Sequence, residues 1–195
     1  KYFDECIKQQ AIQSKDVLKK CFDSILERNH LYVEYKGMGW NILSNYFDHY
    51  HETFEVPVEN EKRISAIPFQ LDNGEIINLT GVMDKITTNE SGEITVWDYK
   101  TGRAYSDMDK DRKAKTKRQA AFYKLLLQHA FDGKYNFHTA IFDFLEPNKK
   151  GEYEQAVFEI TQEDVDEVKV LINELAAKIF NGTLLEGDFY ADKTN

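Results

Sequence analysis

Residues 81–102 read GVMDKITTNESGEITVWDYKTG, two runs of apolar and β-branched residues separated by Ser91-Gly92. The composition and the central small, turn-forming residues predict two antiparallel strands joined by a tight turn. Side chains of an extended chain alternate faces, so Asp98 and Lys100 project to one side and Trp97 and Tyr99 to the other. Asp84, at the end of the preceding strand, reaches the same edge if the turn brings the chain straight back. Two carboxylates and a nearby main-chain carbonyl, such as that of Tyr99, make a partial shell of hard oxygen donors. Such a shell suits Mg²⁺ or Mn²⁺ rather than Zn²⁺. Lys100 adds a cation able to orient a water or to stabilise charge on phosphoryl oxygens. An Asp-x-Lys pair on a wet strand is ordinarily a surface ion pair worth at most ~1 kcal/mol. Here Asp84 lies in an apolar strand beside Gly81, and Asp98 follows Val96-Trp97, so neither reads as a casual surface site.

The flanking sequence supplies further elements. Upstream, Phe3, Ile7, Ile12, Val17, Leu18, Phe22, Ile25 and Leu26 fall at helical spacing with an interruption near residues 13–15. A further helix is expected over Gly39 to Thr53, and strands over FEVPV (54–58), ISAIPFQL (64–71) and IINLTGVMDKI (76–86). Downstream, helical periodicity returns over Lys117 to Phe131. FHTAIFDFL (137–145) and YEQAVFEI (153–160) read as strands joined across Asn148 to Gly151. Thr161 and Asp164 resemble a capping box opening a helix that closes at Asn181-Gly182. The expected organisation is one domain, 1–195. It comprises a helical part (1–53), a sheet carrying the site (54–160) with a helix at 117–131, and a C-terminal helix (161–181). The fold class is α/β, with helices and strands in an α+β order.

The chain of 195 residues carries a net charge of -9, which argues against coating nucleic acid with a broad cationic surface. One strongly basic run stands out, KDRKAKTKR at 110–118. It is expected to precede the helix at 117, where cations and helix N-terminal amides together favour a phosphate backbone. Lys113, Lys115, Lys117 and Arg118 are the candidate DNA contacts. No apolar run is long enough to span a bilayer. Cys6 and Cys21 lack metal-binding spacing and are too few for a disulfide framework, which fits a reducing, cytoplasmic setting.

GVMDKI, ITVWDYKTG and RQAAFY together resemble the RecB-like branch of the PD-(D/E)xK nucleases, whose pattern is GxxD, DYKT and QxxxY in that order. The resemblance implies a restriction-endonuclease-like mixed central sheet flanked by helices. It further implies Asp84 and Asp98 as ligands of Mg²⁺ or Mn²⁺, Lys100 as the catalytic lysine, and Gln119 and Tyr123 bordering the site. Gln119 and Tyr123 are four apart, hence on one helical face. The substrate implied is DNA, hydrolysed at phosphodiester bonds, and the partner a helicase domain in the same polypeptide or complex, as in UvrD-like or AddAB-type helicase-nucleases. No Walker motif is present in these 195 residues. Relatives carry a metal-binding histidine ahead of GxxD in a GxxxH-like context, which has no match here. His30, His49 and His51 are the available substitutes, and the alternative expectation is a fragment of a longer chain. The iron-sulfur cysteines of some relatives are absent from GDFYADKTN at 187–195. The competing expectations are a non-cleaving DNA-binding or scaffold domain, and a nuclease for RNA or a special DNA structure.

Overall fold

The computed structural model describes residues 1–29, 35–130 and 135–183. Five strands, β1 (Glu59–Gln70), β2 (Ile76–Thr88), β3 (Glu93–Lys100), β4 (Asn136–Phe144) and β5 (Gln155–Phe158), form one sheet in sequence order. The pairings β1–β2, β2–β3 and β4–β5 are antiparallel and β3–β4 is parallel. The mixed sheet that the family resemblance implies is therefore present. The parallel step follows from the helix α4 (Lys110–Ala130) between β3 and β4, since a parallel pair needs a long crossover. At the turn between β2 and β3, Asn89 Oδ1 accepts from the amides of Ser91 and Glu93, and Gly92 takes a φ of 75° that its missing Cβ tolerates.

Helices cover both faces. On one side lie α1 (Tyr2–Gln9), α2 (Lys15–Asn29) and α3 (Lys36–Tyr50), with a 3-10 turn at His51–Thr53. On the other lie α4 and α5 (Gln162–Phe180). The main core joins Met83, Ile86, Val96, Leu125, Leu126, Phe142 and Val165, all nearly or wholly inaccessible. Gly81 permits the close approach of α4 to β2, because a Cβ there would stand 2.5 Å from Leu126 Cδ1. The capping box at α5 is formed as expected: Asp164 N donates to Thr161 Oγ1 at 3.2 Å and Thr161 N to Asp164 Oδ2 at 2.9 Å.

Three expectations are corrected. FEVPV is not a strand. Pro57 has no amide to donate, pairing starts with Val58 N to Ile86 O at 2.8 Å, and β1 begins at Glu59. Its polar opening, ENEKR, is legible only as an edge strand, where charged residues face water. The motif helix begins at Lys110 rather than 117, because Asp109 caps it by accepting from the Arg112 amide at 2.8 Å. The basic run therefore lies inside α4. The break in the N-terminal helical region falls at 10–14, where Gln10 adopts a left-handed cap with a φ of 51°. His30, Phe131 and the 187–195 tail lie outside the described residues.

Candidate active site

The antiparallel register of β2 and β3 ends at Lys85 opposite Trp97. The next step outward would set Asp84 opposite Asp98. There the ladder is replaced by a side-chain contact: Tyr99 N–H donates to Asp84 Oδ2 at 2.8 Å. Asp98 and Lys100 share the α4 face, as their two-residue spacing requires, and Lys100 Nζ sits 2.6 Å from Asp98 Oδ1. From α4, Gln119 Nε2 donates to Asp98 Oδ2 at 2.8 Å and Tyr123 Oη donates to the same oxygen at 2.5 Å. Lys100 Nζ also donates to Gln119 Oε1 at 3.0 Å, which closes a ring of contacts. Phe142, fully buried on β4, lies under the ammonium at 5.2 Å. Asp98 is only 5% exposed, so this is not the wet surface pair that Asp-x-Lys usually makes.

The site is short of positive charge. Burial is the largest effect on Asp84 and pushes its carboxyl above the ordinary range. Asp98 and Glu61 add to the rise, while the Tyr99 amide and Lys100 oppose it. Glu61 lies on β1 between residues that pair with Lys85 and Met83, with a left-handed φ of 48°. Burial also raises the Tyr123 hydroxyl, with the Asp98 charge adding to it, so Tyr123 acts at neutral pH as a donor to the carboxylate. A group whose folded pKa exceeds its unfolded one stabilises the fold at low pH and loses that contribution as pH rises through the folded value. The expected result is that Asp84→Asn raises the melting temperature of the metal-free protein at pH 7 relative to wild type. The difference vanishes in acid, where Asp84 is protonated, and differential scanning calorimetry across pH checks it.

This donor set fits a hard divalent cation. Two neighbouring carboxylates, one driven toward protonation by its surroundings, would be relieved by a nearby dication. Among the described residues no group of three or more His, Cys, Asp or Glu gathers at one point. The protein's own ligands there would be few, leaving the other positions of a hard divalent cation to water. For Tyr99 the geometry at hand concerns its amide, which holds Asp84.

The remaining candidates divide. Lys117 Nζ is engaged with Asp164 of α5 at 2.5 Å, and Lys113 lies 5.1 Å from the Tyr105 ring. Lys115 and Arg118 are exposed, and Arg118 shares a depression with Gln119. At helical spacing Arg112 and Lys115 fall on the Gln119 face; Arg112, 3.5 Å from the capping Asp109, was not among the candidates read from the sequence. His49 and His51 are not brought to the site. His49 stacks on Tyr153 at 4.6 Å, and His51 stacks on Phe47 with Nδ1 3.1 Å from Phe47 O. Both lie at the end of α3, across the sheet from Asp98.

A second polar cluster, unforeseen in the sequence, occupies that rear face. Lys85 is 1% exposed, with its ammonium 3.8 Å from the Trp97 ring and 4.9 Å from Phe3. Burial pushes it down to about 8, opposed first by the charge of Asp143. Asp143 accepts from the hydroxyl of Tyr46 and from Gln155 Nε2 at 3.1 Å. The signal for it was an aspartate inside the apolar run FHTAIFDFL.

The family model of the PD-(D/E)XK nuclease superfamily matches residues 2–189. Among solved structures, one described as a "Putative exonuclease" from Eubacterium rectale superposes with a TM-score of 0.54 at 13% identity, over 83% of this chain and 62% of that one. Another, SSO0001, gives a TM-score of 0.40 at 16% identity, over 62% of this chain and 48% of that one. The chain thus spans less than two thirds of either structure's length. No curated protein sequence matches significantly.

Proposed function

Because the chain belongs to the PD-(D/E)XK nuclease superfamily, we propose that it hydrolyses DNA phosphodiester bonds as the nuclease domain of a RecB-like helicase-nuclease in DNA repair or recombination. Asp84 and Asp98 would hold Mg²⁺ or Mn²⁺, and Lys100 would be the catalytic cation. The observation that carries this reading is the convergence of Lys100, Gln119 and Tyr123 on a buried Asp98, with Asp84 fixed one strand away by the Tyr99 amide.

Each side chain has a role that its contacts support. Asp84 and Asp98 would hold the dication, which when bound would supply a more acidic water and offset charge on the phosphate. Gln119 and Tyr123 donate to Asp98 Oδ2 and hold it oriented, leaving the Oδ1 side to Lys100. The Tyr99 N–H fixes the Asp84 carboxylate against β3, one residue along from Asp98. Lys100 is 30% exposed along its side chain, so its ammonium reaches a substrate while Gln119 Oε1 steadies it. An ammonium so placed orients the attacking water or stabilises the phosphoryl oxygens as their charge grows.

The deciding experiment is cleavage of single-stranded and duplex DNA with Mn²⁺ or Mg²⁺. Cleavage should cease with EDTA and return with excess Mn²⁺. Salt-sensitive DNA binding without metal uptake by calorimetry would instead favour a non-cleaving domain. The free cations of α4 should separate from the engaged ones. Lys115→Ala is expected to reduce the slope of log K against log salt by about 0.9, one phosphate contact. Lys117→Ala, whose charge is spent on Asp164, should leave the slope unchanged, as measured by fluorescence anisotropy in Ca²⁺.

A further inference from the structure

Behind the catalytic face, between α1, α2, α3 and the sheet, lies a pocket of about 220 Å³, partly open to solvent and bordered by Phe3, Leu18, Leu43, Tyr46, Phe54 and Tyr99. No polar atom contributes surface to its wall. We infer that this cavity is a binding site for a small, wholly apolar molecule of one ring. Size and wall chemistry set the class. A dry cavity of about 150 Å³ lined by leucine, isoleucine and phenylalanine already takes benzene or xenon, whereas drug-sized ligands need about 300 Å³ or more. Water would find no hydrogen-bond partners on this wall, and a polar ligand would pay desolvation unanswered.

The site borders a residue that matters elsewhere. Tyr99 lies between Asp98 and Lys100, and its ring stacks on Phe3 at 5.9 Å and meets Tyr46 edge-on at 6.3 Å. Its hydroxyl is buried beside Tyr46, and the stacked and edge-on rings pack it in place. What fills the cavity therefore presses on the residue whose amide holds Asp84.

Toluene titrated into the ¹⁵N-labelled protein without metal tests this independently of any nuclease activity. Saturable binding is expected, with a shift of the Tyr99 amide and a rise in melting temperature. Phenol should bind at least about tenfold more weakly, the scale of one unpaired hydroxyl buried. Leu18→Phe and Leu43→Phe, each adding volume at partly exposed positions, should both weaken toluene at least tenfold. Absence of saturable binding, a Tyr99 amide that stays still at saturation, phenol binding as tightly as toluene, or full affinity in both folded variants would each overturn the assignment.

Discussion

Lys100→Ala is expected to lower Mn²⁺-dependent DNA cleavage by about 10²–10³-fold, the loss typical when one preorganised donor is removed from a developing charge. The side chain makes three contacts: with Asp98 Oδ1, with Gln119 Oε1 and over the Phe142 ring. The first two partners have other bonds, because Asp98 still receives Gln119 and Tyr123. The loss should therefore fall on turnover and not on folding. Single-turnover cleavage at saturating Mn²⁺, beside a calorimetric metal titration and an unfolding curve, separates the three. A variant that cleaves at the wild-type rate removes the lysine from the mechanism. One that fails only by losing the ion reassigns it to holding Asp98.

Phe142→Ala should cost about 3–5 kcal/mol of stability, the range for truncating a fully buried phenylalanine. That is a large share of the about 5–15 kcal/mol a domain has in total. Phe142 has no solvent exposure, meets Phe158 edge to face at 5.6 Å, and pairs in register with Asp98 across the parallel ladder. Removing the ring opens a void in the main core directly beneath the Lys100 ammonium. Phe142→Leu refills much of that volume without an aromatic face, so it should recover part of the stability while leaving Lys100 without its ring. Urea denaturation reads the first effect and cleavage at a temperature where both variants are folded reads the second. Ile76→Ala, at a side chain 67% exposed, is the control and should stay within about 0.5 kcal/mol of wild type.

From the sequence alone came the alternation that puts Asp98 and Lys100 on one face, the four-residue step that aligns Gln119 with Tyr123, and the Thr161 capping box. These are local consequences of backbone period, and no distant contact is needed to set them. Element boundaries were less legible where local preference and tertiary pairing disagree. ENEKR has little strand preference and becomes strand only because β2 offers a partner, while FEVPV has the composition of a strand but meets proline at the point where pairing would begin.

The fold alone supplied the relations between segments distant in sequence. That Asp84 accepts from Tyr99, that Lys117 is tied to Asp164 while Lys115 is free, and that Phe142 lies under Lys100 depend on how helices and strands dock. No periodicity encodes that docking. The same holds for Lys85, beside Asp84 in GVMDKI, and Asp143, in the distant run FHTAIFDFL, which meet on the rear of the sheet. Side-chain period assigns a face to each residue, but which helix covers that face, and so whether a charge meets water, an ion or an aromatic ring, is decided by packing across the whole chain.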